Sequence, residues 1–444
     1  MSDHKAPPAD PRSHAGSGVE PPPYRGDMEG PALPADEAAR RRRRVAFAVL
    51  LTGTVCLGMG QTIVFAALPP VARTIGLSEL QTGAIFSVSA VMWVVFSPIW
   101  GSLSDRVGRR PIILMGLAGF TVSLVMFTAA IRLGVSGWGT PLAVYALMIA
   151  TRCVYGAIGS GAPAASQAYL ADRTSPEERT GALAGFTAAF GFGQMLGPGF
   201  ASAVAVFGLL APFHAMAVVG ALVAGFVFAR LPEKSPPRRR ERKAGPSVSV
   251  FDRRVRGFLG YAFLTGIVIA VPLQATAFYI IDRFALAEEA AAQLVGVALT
   301  ASAMAALFSQ LVLVQRYRLA PRDLMRYAPL VVAPAHILIA ISPAYGPLVF
   351  GLMASGLGLG MAQPGFAGAA SLAVERDEQG AVAGLSNGAG AAGFALSPFI
   401  AFPLYDLAPF APFLMTASLM AGLALFAWRS RHIAEATPTE KAAG

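Results

Sequence analysis

From Val45 to Trp428 the chain passes through one apolar stretch after another, nearly all without a charged residue. Crossing ~30 Å of hydrocarbon as a helix takes about 20 apolar residues. Inside a bilayer every backbone N–H and C=O must find a partner within the protein, which leaves helices or a closed barrel. The runs are long and do not alternate between apolar and polar residues, so they specify helices. Twelve such spans can be drawn: 45–68, 81–100, 112–131, 141–166, 180–207 and 211–230 in the amino half, and 257–281, 291–314, 327–342, 346–373, 380–405 and 410–428 in the carboxy half. The ninth is the weakest, being interrupted by Pro329 and Pro334 and followed by Pro343.

The expected fold is therefore an all-α membrane protein, with twelve transmembrane helices in two pseudo-symmetric six-helix bundles. A polar, proline-rich tail (1–39) precedes the first bundle (40–230). A basic linker (231–256) leads to the second bundle (257–428), and a short tail (429–444) completes the chain. The composition agrees: 55% of the residues are hydrophobic and 14% charged, against about 25% charged in soluble domains. The first 39 residues have no apolar core of the kind a cleavable signal carries. Cys56 and Cys153 each sit inside an apolar run, so no disulfide is expected.

A net charge of +10 does not point to nucleic acid. The basic residues cluster beside span ends, and none forms a basic helix interleaved with aromatics. With the amino terminus inside, the inside segments hold 27 lysines and arginines, whereas the outside loops hold Arg73, Arg132 and Arg283. The positive-inside rule then puts both termini in the cytoplasm, in a bacterial-type inner membrane.

An internal repeat supports two bundles. Gly193-x-x-Leu196-Gly197-Pro198 and Gly393-x-x-Leu396-Ser397-Pro398 lie 200 residues apart, and "EERTGALAG" upstream of the first parallels "DEQGAVAG" upstream of the second. Duplicated six-span units are common in transporters.

Between the second and third spans lies "GSLSDRVGRRP". Gly101 and Gly108 allow a tight turn and close helix approach. Asp105 can lie against a helix amino terminus, and Arg106, Arg109 and Arg110 can hold carboxylates through forked hydrogen bonds. This run, with Leu114 beyond, resembles the loop signature of the major facilitator superfamily. The resemblance implies a conformational latch on the cytoplasmic side, with Asp172 and the start of the eleventh span, near Glu378 and Gly380, as partners.

Arg152 is about 16 Å into the fourth span at ~1.5 Å per residue, too deep to reach water easily. A charge there faces a cavity or a partner by default. Arg152-x-x-x-Gly156 matches the superfamily's fourth-span pattern, which implies a link to proton coupling. In the fifth span, Gly193-x-x-x-Gly197-Pro198 combines close helix contact with a bend. It is similar to the signature of drug:proton antiporters, and the surrounding sequence is similar to twelve-span efflux pumps such as tetracycline exporters. The antiporters' trailing Gly-Gly is Ala201-Ser202 here. Gly156, Gly193, Gly197, Pro198, Gly393 and Pro398 are thus the expected packing positions.

None of the 25 acidic residues falls in the middle of a span. The titratable candidates for coupling are Arg152, His336 and Asp282, near the end of the seventh span. Gln61, Gln194, Gln274, Gln363 and Asn387 are amides able to line a cavity. A membrane enzyme would need a cluster of carboxylates, histidines or cysteines near one interface, which the sequence lacks. A Gly-Lys-Ser/Thr phosphate loop is absent, and no cofactor or metal is expected. These features describe a secondary transporter, most simply a monomer, moving a small molecule with protons. Export of an organic compound is the leading reading, and uptake or uniport of an anionic or polar metabolite the alternative.

Overall fold

The computed structural model describes residues 34–174, 176–232, 248–317, 319–375 and 378–430. The expected tails, apart from the start of the first helix and the last residues of the twelfth, and most of the basic linker lie outside the described residues. Two compact units are distinguished, Met1–Arg44 and Val45–Gly444. The membrane-spanning bundles belong to the second.

Among the described residues there is no strand. Twelve helices succeed one another: α1 (Pro34–Ile75), α2 (Glu79–Val107), α3 (Arg109–Val135), α4 (Pro141–Asp172), α5 (Pro176–Ala205), α6 (Ala211–Arg230), α7 (Arg256–Phe284), α8 (Glu288–Phe308, continued by a π-helical stretch Ser309–Arg316), α9 (Pro321–Ile341), α10 (Tyr345–Leu372), α11 (Gln379–Leu407) and α12 (Ala411–Arg429). Eleven of them are long and apolar enough to cross a bilayer. The remaining one, α5, is 30 residues long, but its glycines, Gln194 and Pro198 dilute its apolar character.

The segment between the second and third spans makes the expected tight turn. Both helices run on through it and meet at Gly108, whose φ of 112° makes the turn in a single residue. Two elements differ from the sequence expectation. The fourth helix reaches Asp172 and is interrupted by a π-helical turn at Tyr155–Gly159. There the indole N–H of Trp100 donates to the Ala157 carbonyl, and a side chain at Gly156 would lie 2.6 Å from the Ser89 carbonyl of α2. The ninth helix is continuous despite Pro329 and Pro334.

Proline removes one helical hydrogen bond and frees the carbonyl four residues earlier, which in a bilayer needs a new donor. For Pro329 that carbonyl belongs to Met325, and the Tyr261 hydroxyl donates to it at 3.0 Å. For Pro198 it belongs to Gln194, which accepts from Thr62 Oγ1 at 2.9 Å.

The halves repeat each other in detail. A side chain at Gly193 of α5 would collide with the Val55 carbonyl of α1, and one at Gly58 with the Phe190 carbonyl. In the second half Gly393 of α11 is pressed on the Phe263 carbonyl of α7, and Gly266 on that of Gly390. Lipid tails compete with apolar side chains for contact, so helix association in a bilayer relies on such close backbone approach. The two halves meet through α2 against α11 and α5 against α8, pairs that exchange under the internal pseudo-symmetry.

Candidate functional site

One face of each interface helix carries the contact between halves. On α2 that face bears Gly83 and Ser87: a side chain at Gly83 would be 2.5 Å from Pro398, and Ser87 Oγ donates to the Ala395 carbonyl at 2.6 Å. On α5 and α8, Ser202 Oγ donates to the Gln293 carbonyl at 2.8 Å, and Gly296 lies against Pro198 and Ser202. Toward the α2–α3 turn, the same faces lose their partners. Val91 and Val94 on α2 are 45% and 43% exposed, and Met304, Phe308 and Leu311 on α8 are 57%, 53% and 48% exposed. On α5 and α11, added side chains at Gly181, Gly185, Gly191, Gly380, Gly384 and Gly388 would meet nothing within 4 Å. The halves are sealed at the α1–α2 end and stand apart at the α2–α3 end, so a cleft opens between them.

The sealed end carries a charged clasp. Arg73 of α1 reaches across to Asp282 of α7, with Nη2 2.8 Å from Oδ2 and a second, shorter contact between Nη1 and Oδ1. It also binds Glu79 of α2 at 2.7 Å and lies 5.2 Å from the centre of the Phe278 ring. The Tyr405 hydroxyl of α11 donates to Asp282 Oδ2 at 2.5 Å. Sequence reasoning identified Asp282 but missed Arg73, Glu79 and Tyr405. Their only trace in the sequence is a charge or hydroxyl beside a span end.

The opposite end holds the glycine-bracketed charges. Arg109 is their centre: it binds Asp105 at 2.5 Å, Asp172 at 3.0 Å and Ser104 Oγ at 2.5 Å. Arg110 donates to the Phe228 carbonyl at the end of α6 at 2.6 Å, a favourable place for a cation. Arg106 is exposed. The expectation that Asp105 caps a helix is corrected, because the start of α3 has no side-chain cap and the carboxylate turns to Arg109 instead. The expected pairing with Glu378 is also absent. Glu378 is held by Arg254 at 2.8 and 2.9 Å, and the bonds of Arg109 and Arg110 described above tie α2, α3, α4 and α6 of the cluster's own half. Hydrogen bonds from Arg254 hold the Glu378 and Asp252 carboxyls below their ordinary range.

Arg152 is buried within the first half. Its Nε donates to Ser89 Oγ at 3.0 Å, and its guanidinium lies 4.2 Å from the Tyr155 ring centre and 5.7 Å from that of Phe127. Of the two expected surroundings, a cavity or a partner, the structure gives partners: a hydroxyl and two aromatic faces. His336 is likewise enclosed, with Nδ1 2.6 Å from Thr416 Oγ1 and Nε2 2.8 Å from Ser355 Oγ. It does not line the cleft. His336→Gln is expected to lower thermal stability, since a buried hydroxyl left unpaired costs ~1–3 kcal/mol. A melting curve beside that of the parent checks this.

The amides divide. Gln194 is one helical step from Pro198 on the α8-facing side of α5, and Gln61 is one step from Phe65, which packs edge-on to Phe394 of α11 at 5.8 Å. Asn387 is exposed and lies 11 residues, about three turns, from Pro398 on the α2-facing stripe of α11. These three stand at or below the apex of the cleft. Gln363 is exposed on α10. Gln274 is buried in α7, with neither amide atom bonded to the protein. Both cysteines are free, and the described residues contain no cluster able to hold a metal.

The sequence profile of the Major Facilitator Superfamily matches residues 50–398. The chain belongs to that superfamily. This superfamily member is 28% identical to the class D tetracycline resistance protein of Salmonella ordonez, over 79% of this chain and 88% of that one. It is 24% identical to multidrug resistance protein 1 of Bacillus subtilis (strain 168), over 88% and 97%. With the class C tetracycline resistance protein of Escherichia coli the identity is 33%, and the match spans 39% of this chain and 42% of the relative. The chain thus spans under half the length of several curated relatives it matches. Among solved structures, a bacterial homologue of the human lysosomal transporter Spinster superposes with a TM-score of 0.68 at 13% identity, over 90% of this chain and 99% of that one. A D-xylose–proton symporter gives 0.68 at 14% identity, over 87% and 97%. These likenesses establish the fold of this superfamily member as a multi-pass membrane protein.

Proposed function

We propose that the chain is a secondary active transporter that exports a small, largely apolar organic compound in exchange for protons by alternating access. The observation that carries this reading is that the same four helices, α2, α5, α8 and α11, seal the halves at one end and part at the other. A duplicated pair of bundles in that arrangement can rock about a central site. The positive-inside rule turns the open end to the cytoplasm, so the cleft admits substrate from inside. Gln61, Gln194 and Asn387 offer hydrogen bonds beside the aromatic rings of Phe65 and Phe394 at its apex. The names of the tetracycline and multidrug resistance relatives support export and a drug-like substrate.

Asp282 is the carboxylate on which we place proton coupling. It is bonded across the interface to Arg73 and within its own half to Tyr405, with Glu79 on the far side of Arg73. Arg283 beside it is turned to the Ser342 carbonyl. Protonating Asp282 from outside removes one charge of the clasp and favours opening there, and exchange requires that, after substrate release, this proton pass to the cytoplasmic side as Arg73 re-engages the carboxylate.

A second reading, transport of a neutral or anionic metabolite, is favoured by one fact. Among the described residues the cleft-facing stripes carry no carboxylate to hold a cation until Asp105 at the mouth.

Inverted vesicles with and without an imposed pH gradient separate the readings, using labelled tetracycline and a panel of apolar dyes as probes. The expected result is gradient-dependent accumulation of at least one probe. Asp105→Asn should lower it about tenfold or more at unchanged amounts of folded protein, a typical size for conformational coupling. Accumulation indifferent to the gradient removes proton antiport, and undiminished flux in the Asp105 variant removes the latch.

A further inference from the structure

The second bundle begins where the linker re-enters the membrane at α7, beside the end of α12. Between these two helix ends lies a cavity of about 150 Å³, with Arg253, Arg254 and Arg256 on its rim and Phe258, Phe426 and Ser430 along its wall. Its charges are not equivalent. Arg254 is fully engaged, donating to Glu378 at 2.8 and 2.9 Å and to Asp252 at 2.8 and 3.1 Å. The nearby carboxylates are therefore already occupied. Arg253 and Arg256 are exposed, and neither guanidinium bonds to any described residue.

The backbone adds to the positive field. Val255, at the start of the 29-residue α7, provides no side-chain cap, and the amides of Arg256 and Phe258 donate to the Asp252 and Val255 carbonyls at 2.9 Å, so the backbone contributes the positive pole of the helix rather than free donors. Gly257 shapes the wall: an added side chain there would stand 3.2 Å from the Phe426 ring. Outside the rim, Phe251 is 84%, Val250 50% and Phe426 39% exposed.

We propose that this cavity binds the phosphate headgroup of an anionic phospholipid from the leaflet at the open end of the cleft. A free anion would use the two unengaged arginines but not the apolar flank. A lipid uses both, with its phosphate on Arg253 and Arg256 and its chains along Phe426 and Phe251. The position at the boundary of two membrane spans is where cationic side chains meet headgroups. Because Arg254 ties this segment to Glu378 at the start of α11, a bound lipid sits one residue from a contact that anchors an interface helix.

The test uses the purified full chain in neutral detergent. Thermal unfolding is followed while dioleoyl-phosphatidylglycerol, dioleoyl-phosphatidylcholine or inorganic phosphate is titrated in. Phosphatidylglycerol is expected to raise the melting temperature in a saturable way, and the other two are not. Each arginine near an anionic headgroup contributes roughly fivefold in affinity. Arg253→Gln with Arg256→Gln should therefore weaken the apparent affinity for phosphatidylglycerol about 25-fold. A control with the same charge change elsewhere, Arg230→Gln with Arg316→Gln, should weaken it less than about threefold. Equal loss in both double variants reduces the effect to general surface charge and overturns the site. A shift of the same size with inorganic phosphate overturns the lipid assignment, and one with phosphatidylcholine overturns the role of the arginines.

Discussion

Asp282→Asn is expected to raise the exposure of the sealed end about 30-fold. Asp282 receives the fork of Arg73 and the hydroxyl of Tyr405, and Arg73 is held in place by Glu79 and the Phe278 ring. The paired side chains are 22% and 31% exposed, so the interaction exceeds the ~0–1 kcal/mol of a solvated surface pair. Hydrogen bonds to charged groups contribute ~1.5–3 kcal/mol, and an amide cannot take both arms of a guanidinium. A loss of about 2 kcal/mol from the sealed state alone corresponds to roughly 30-fold in population. The reporter is Thr300→Cys, which sits against Gly199 in the α5–α8 seam, in a chain with Cys56 and Cys153 replaced by serine. Labelling by a membrane-impermeant maleimide added at the sealed end should accelerate by that factor. Tyr405→Phe, losing one neutral donor, should give about fivefold, from ~1 kcal/mol. Lowering the pH on that side should speed labelling, relative to that of a free thiol at the same pH, in the parent and not in Asp282→Asn, because the variant has no carboxylate to neutralise. A labelling rate that ignores the substitution would show that the clasp does not hold the halves together.

The sequence displayed what local physics controls and concealed what depends on conformational state. The apolar runs gave helices because a bilayer offers the backbone no other partner. The shared Gly-x-x-Leu-small-Pro pattern marked Gly193 and Gly393, whose missing side chains are required by carbonyls of α1 and α7. The π-helical turn in α4 was not foreseeable from the Gly156 spacing alone, since it depends on Trp100 reaching over from α2. The continuity of α9 through Pro329 depends on a tyrosine 68 positions earlier in the chain. Glu378 was expected near the α2–α3 turn, and in this state it belongs to Arg254. Arg73 and Tyr405 looked like ordinary residues at span ends because nothing in a linear sequence shows which ends meet across two bundles.

Glycines with empty flanks point to the state in which the cleft is closed. In a helix interior glycine costs ~0.5–1 kcal/mol relative to alanine, and Gly101 and Gly384 have no neighbour in this state that demands it. Their positions supply a reason. At the sealed end Gly83 of α2 lies against Phe402 of α11. Gly101 is 18 residues on from Gly83, Gly384 is 18 residues back from Phe402, and 18 residues make about five whole turns. The two helices run antiparallel, so closing the cleft brings Gly101 and Gly384 together along the line that already joins Gly83 and Phe402. Gly384→Leu is therefore expected to be harmless to the open state and to obstruct the closed one. Helix propensity favours leucine over glycine by ~0.8 kcal/mol, so the melting temperature should hold or rise. Overpacking of ~1–3 kcal/mol on closure should cut the initial rate of probe counterflow about 5- to 150-fold, with Gly384→Ala between the two. Melting curves and counterflow on the same preparations decide the matter. Lower stability with intact transport would mean that the empty flank serves the open state, and that the two glycines never meet.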